Sequence, residues 1–154
     1  MQEIRRKDRA LQEDEAIELL TEAEFGVLST SSGGEEPYGV PISYCFINRS
    51  IYFHSSLEGH KIDNINANKS VSFCVVGKTE ILPDSFGTKY ESVIVSGHAE
   101  EVFEHEKQEA LEGLLHKYCY GFIDNGKKYI DAMREKTRVF KIAISNISGK
   151  ARRK

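Results

Sequence analysis

The ten residues YGVPISYCFI (38–47) constrain the fold more than any other stretch of the chain. Tyr38, Val40, Ile42, Tyr44 and Phe46 fall on one side, and Gly39, Pro41, Ser43, Cys45 and Ile47 on the other. That period of two is the signature of an extended strand with two distinct faces. Pro41 has no N–H to give to a ladder, so the strand is expected at a sheet edge or bulged there. Asn48, Arg49 and Ser50 read as a short hairpin loop into IYFH (51–54). FGVLST (25–30), SVSFCVVG (70–77), YESVIVSGHAEEVF (90–103) and RVFKIAIS (138–145) are further β runs. Helical spacing is seen in DEAIELLTEAE (14–24), where Ile17, Leu20 and Ala23 join Ala16 and Leu19 on one stripe. GHKIDNINAN (59–68), HEKQEALEGLLHKYC (105–119) and NGKKYIDAMREK (125–136) complete the expected helices, and SSGGEEP (31–37) reads as a turn. Six strands with helices inserted among them predict an α+β class. A six-stranded antiparallel barrel, closed or split, in one domain over 1–154 is the expectation.

Composition narrows what such a barrel does. Fifteen aromatics spread over 154 residues exclude intrinsic disorder. The apolar runs are far shorter than the roughly 20 residues of a membrane-spanning helix. The basic start, MQEIRRKDRALQEDEA, has no apolar segment behind it, which reads against a signal peptide and for the cytoplasm. Cys45, Cys74 and Cys119 form no C-x-x-C pair, so a zinc cage or disulfide framework is not expected; they read as small buried residues. The net charge of −3 is unevenly spread. Residues 1–9 carry +2 and residues 150–154 carry +4, leaving −9 on the body between. An acidic body with basic ends argues against a broad nucleic-acid surface. Two short basic ends suit a compact anion, or are simply solvated termini.

The segment IYFHSSLEGHKIDNI (51–65) runs from a strand through a polar loop into a helix. His54, Ser55, Ser56, Gly59, His60 and Lys61 gather at that junction. Free N–H groups at a helix start, the positive end of its dipole, hydroxyls and a lysine are what a phosphate needs. Plain serine capping with an exposed lysine accounts for the same residues. No P-loop, G-x-G-x-x-G or G-x-S-x-G is present. His54 and His60 lie six apart across a loop, a spacing that makes no ready metal pair, so no metal is expected. His98, His105 and His116 read as structural or surface residues. With few acids, bases or ligands at hand, demanding chemistry would have to come from a cofactor.

The order RRKDRAL (5–11), FGVLST, PYGVPISY (37–44), IYFHSSLEGHKIDNI, VSFCVVG (71–77) and YESVIVSGHAEEV (90–102) resembles the pyridoxamine 5′-phosphate oxidase-related flavoproteins. The resemblance is nearest to the branch containing the nitroimidazole-resistance proteins. It implies an FMN-binding split β-barrel and a homodimer with FMN at the interface. The flavin phosphate would be met at positions matching His54, Ser55, His60 and Lys61. The flavin ring edge would lie along Val40, Pro41, Ile42 and Ser43, with Tyr44 or Phe86 bordering the ring. Ser92 and Lys150 are further cofactor-site positions. Where the true oxidases carry an Arg-Gln pair, this chain has Glu91 and Ser92. Where they carry an arginine, it has His60, and ISGKARRK (147–154) lacks their pyridoxine-phosphate grip.

The resemblance therefore implies a flavin-dependent oxidoreductase acting on small electron-poor compounds, with no nucleic-acid or membrane partner. The alternatives are an FMN or related-ligand binding or sensor protein without turnover, and a structural dimer whose cofactor site is lost.

Overall fold

In the computed structural model, which describes residues 1–34 and 36–154, the strands join into one antiparallel sheet. They are β1 (Gly26–Thr30), β2 (Tyr38–Ile42), β3 (Cys45–Ile47), β4 (Ser50–Ser55), β5 (Ser70–Leu82), β6 (Gly87–Val102) and β7 (Arg138–Arg152). The spatial order is β2-β1-β5-β6-β7-β4-β3. The helices are α1 (Glu13–Glu22), α2 (His60–Ala67), α3 (Glu104–Tyr118) and α4 (Ile123–Met133). The α+β class holds, with seven strands instead of six. Glu35, in the turn expected over 31–37, lies outside the described residues.

The extra strand comes from a break in the 38–47 segment. β2 and β3 occupy opposite ends of the sheet order, yet only Ser43 and Tyr44 separate them. A flat sheet would place its edge strands about 29 Å apart at the usual strand spacing. Three residue steps reach no more than about 11 Å. The sheet must therefore curl until its two edges meet at this corner, a barrel split between β2 and β3. Tyr118, at the end of α3, holds the corner: its hydroxyl accepts from the Tyr44 N–H at 3.0 Å and lies 2.5 Å from the Glu24 carbonyl. Pro41 sits on the edge strand β2, opposite Val27, where its missing N–H leaves no ladder bond unmade.

Alternation along the strands sorts two cores. Leu28, Phe53, Phe73, Val93, Phe140 and Ile142 fill the barrel interior, where Ala16 and Leu20 of α1 and Ile62 and Ile65 of α2 also pack. Tyr44 is fully buried among them, edge-on to Phe73, and its hydroxyl donates to the Leu20 carbonyl. The opposite face of β3, β4 and β7 presents Cys45, Tyr52 and Val139 to Leu111, Leu114 and Leu115 of α3 and Ile130 of α4. Of the cysteines, Cys45 is buried, Cys74 half-buried and Cys119 exposed, so the expectation of burial fails at Cys119. The last strand runs beyond its expected end at residue 145: Ser148, Lys150 and Arg152 pair with Ile94, Ser92 and Tyr90 of β6. Among the described residues no helix is long and apolar enough to cross a membrane.

Candidate functional site

β4 ends at Ser55, and the chain re-enters helix at His60 after an open loop. The start of α2 lacks a side-chain cap: Gly59 occupies the N-cap position, and the Ser56 hydroxyl donates to the Glu58 carbonyl at 2.8 Å. The first helical bond runs from the Asp63 N–H to the Gly59 carbonyl. The N–H groups of the first turn thus point out of the helix unused by it, the situation that favours an anion. Gly59 has φ +154°, a left-handed conformation that favours glycine. The serine-capping alternative is therefore not what the fold adopts.

Ser55 is 5% exposed, and its Oγ has no hydrogen-bond partner. A buried hydroxyl left unmade costs about 1–3 kcal/mol, so such an atom calls for a partner from outside the chain. Beside it, His54 is pushed below the ordinary histidine pKa by desolvation and by the Lys61 ammonium. His60 stacks on Tyr38, ring centroids 4.0 Å apart, which ties the first turn of α2 to the edge strand carrying Val40, Pro41 and Ile42. Among the described residues the outer side of β2 has no strand partner, which leaves its backbone groups open to a ligand.

A cavity of about 620 Å³ opens next to this junction, between α3, α4 and the sheet. Ser43 and His54 stand on its wall with Leu114, Tyr118, Phe122 and Tyr129. Its size and mainly apolar lining suit a small organic molecule. The sequence reading missed it, because its wall forms only when α3 and α4 close over β3 and β4. Arg138 was also missed. It faces Ser55 across the β4–β7 ladder, donates to the Leu57 carbonyl at 3.2 Å and is held by Glu101 at 2.7 Å. It thereby fixes the loop into α2.

The remaining expected residues lie elsewhere. The Tyr44 ring belongs to the core and borders no open space in this protomer. Phe86 is 97% exposed at the tip of the β5–β6 hairpin. Ser92 and Lys150 face each other across β6 and β7. Lys150 is eleven residues along β7 from Val139, the neighbour of His54. One protomer therefore gathers Val40–Ser43, His54, Ser55, His60 and Lys61, and leaves Ser92, Lys150 and Phe86 apart. Among the described residues no group of three His, Cys, Asp or Glu is placed to hold a metal ion.

A family model described as Pyridoxamine 5′-phosphate oxidase matches residues 12–151. Among solved structures, the "putative 5-nitroimidazole antibiotic resistance protein" of Bacteroides thetaiotaomicron is 21% identical with a TM-score of 0.76. The match covers 92% of this chain and 86% of that one. A FAD-binding protein of Mesorhizobium loti is 27% identical over 94% of this chain and 97% of its own, with a TM-score of 0.65. The FAD and heme binding protein of Mycobacterium smegmatis is 15% identical, covers 93% and 72%, and has a TM-score of 0.78. At 21% and 15% identity the likeness establishes a shared fold. No curated protein matches by sequence.

Proposed function

Because the chain belongs to the pyridoxamine 5′-phosphate oxidase family, we propose that it is an FMN-binding flavoprotein that reduces small, electron-poor organic compounds. The orphaned, buried Ser55 hydroxyl beside the uncapped start of α2 carries this reading. Ser55, His60, Lys61 and the free N–H groups of the first turn would hold the phosphate, with His54 adjoining. The unpaired edge of β2 from Val40 to Ser43 would lie along the ring. FMN is favoured over FAD because the chain offers one phosphate-ready turn and no dinucleotide fingerprint. Bound there, the flavin supplies two-electron redox chemistry. The chain's own part is to neutralise the phosphate, orient the ring and exclude water.

The cavity behind Ser43 and His54 is the natural place for the substrate. With its pKa lowered, His54 is neutral at pH 7, so it offers one N–H and one acceptor instead of a charge. An uncharged aromatic compound with a polar substituent fits such a wall. We also propose a homodimer, because Ser92 and Lys150 stand on a sheet face that no helix of the same protomer covers.

An absorption spectrum of the purified protein, followed by chromatography of what denaturation releases, tests the cofactor. FMN in near-stoichiometric amount is expected. Stoichiometric FAD, or a colourless protein that takes up no FMN, overturns the reading. Reduction by NADH or NADPH followed by a nitroaromatic acceptor tests turnover. A bound flavin that passes no electrons would point to a binding protein.

A further inference from the structure

The two basic ends of this acidic chain meet in space. The N–H of Leu11 donates to the Gly149 carbonyl at 2.9 Å, and Ala10 bridges Lys150 of β7. The turn Lys7–Arg9 is thereby laid against the end of β7. A cavity of about 520 Å³ lies there, lined by Arg6, Arg9, Arg152, Arg153 and Lys154 together with Asp8 and Glu15. Arg152 and Arg153 also border a second cavity of about 580 Å³, which runs on past Tyr90 to Lys78 and Lys89.

Ion pairs absorb only part of this charge. Arg6 is taken up by Asp8 at 2.6 Å, Arg153 by Glu15 at 3.0 Å and Glu91 at 3.2 Å, and Lys89 by Glu80 at 3.3 Å. Among the described residues, Arg9, Lys150, Arg152 and Lys154 have no Asp or Glu side chain in ion-pair range, and Arg152 Nε donates to the Lys154 main-chain oxygen at 3.4 Å. Tyr90 is the ladder partner of Arg152, and its ring centroid lies 5.8 Å from the Lys150 ammonium. Burial pushes the Tyr90 phenol up, yet hydrogen bonds from Arg9 and Lys150 and their charges outweigh it and bring the phenol below its ordinary value. Like charges gathered without counter-charges repel one another, and a multivalent anion relieves that repulsion. Guanidinium forks match phosphate oxygens in particular.

We propose that this cleft between the chain ends is a second anion site, which takes the phosphate or diphosphate group of a small organic molecule. Lys150 lies eleven residues along β7 from the neighbour of His54, so within one protomer this site is separate from the Ser55–Lys61 junction. Two sources share the chemistry: a nucleotide electron donor, and a free phosphate or diphosphate.

Inorganic pyrophosphate titrated into the purified protein, followed by calorimetry, tests the site without reference to flavin turnover. With the protein saturated with FMN, so that the Ser55–Lys61 junction is filled, saturable binding is expected, weakened at least about tenfold in Arg9→Gln/Arg152→Gln and unchanged in Lys128→Gln, an exposed cation on α4. No binding, binding that the Arg9→Gln/Arg152→Gln variant leaves intact, or equal loss in Lys128→Gln overturns the proposal. The sources are then separated on the same variants. A raised KM for NADPH with unchanged FMN affinity identifies the nucleotide donor. An unchanged KM with pyrophosphate binding lost identifies the free anion, and weakened FMN affinity would place the flavin phosphate here and overturn a second site. If the cleft variants fail these tests while FMN still binds, the flavin reading stands alone.

Discussion

At the residue scale, the site depends on one charge and one hydroxyl. In the proposed site, Lys61 stands by the uncapped start of α2 and the unpartnered Ser55 hydroxyl, so its ammonium would complete the neutralisation of a phosphate. Lys61→Ala is expected to weaken FMN by about 1.5–3 kcal/mol, the worth of a hydrogen bond to a charged group. Titration of flavin-free protein measures it, and riboflavin, which has no phosphate, should bind the variant and the parent equally. His54 supplies an independent check, because desolvation and Lys61 both hold its folded pKa below the unfolded value. The imidazole should titrate by NMR below about pH 6.5 in flavin-free protein, and Lys61→Ala should move its midpoint up. The sign for stability follows. As pH falls below the unfolded pKa, the unfolded chain takes the proton more readily, so this contribution is complete above that pH and is lost on descent through the folded pKa.

At the element scale, the barrel closes because long strands bend where the sequence lets them. β6 and β7 shift register between Ser96 and Gly97. A methyl group built on Gly97 would run into the Ala143 carbonyl oxygen and the Ile142 side chain. A backbone oxygen cannot swing aside as a side chain can. Gly97→Ala should therefore destabilise the fold by about 1–3 kcal/mol, read as a lower urea midpoint with an unchanged slope. An unchanged midpoint would mean that the bend is set elsewhere. The same scale explains the one miscounted strand. The alternation over 38–47 is real, since Val40, Ile42, Tyr44 and Phe46 all turn to the inner core while Cys45 and Ile47 meet the outer one. Alternation cannot reveal that the first half pairs with β1 and the second with β4, because pairing partners are not encoded in a local period.

At the scale of the whole molecule, the outer sheet face is covered by α3 and α4 over β3, β4 and the start of β7, and lacks a covering layer among the described residues across β2, β1, β5, β6 and the end of β7. Pro41, Val27, Cys74, Ile94 and Ser148 stand in register across β2, β1, β5, β6 and β7. Val27, Val76 and Ile94 are exposed there, and the next row holds Ser92 and Lys150. A second copy laid on this face would bury it and bring the residues left apart in one protomer toward the other's junction. Light scattering should give twice 17.4 kDa, and Ile94→Asp should give a folded monomer with weakened flavin binding. A wild-type monomer that retains flavin would contradict the dimer.

The sequence by itself determined the α+β class, the four helices, six of the seven strands, the edge or bulge at Pro41 and the strand–loop–helix form of the junction at 54–61. Each depends on neighbours within a few positions: a period, a missing N–H, a helix start. Tertiary structure alone decided the break at Ser43 and Tyr44, the cavity under α3 and α4, and the arrival of Arg138 opposite Ser55. It also turned two basic termini, legible only as charge, into one cleft by pairing Ala10 with Lys150. These contacts join residues up to about 140 positions apart, and they exist because burying the inner face of the curled sheet leaves the chain few ways to close.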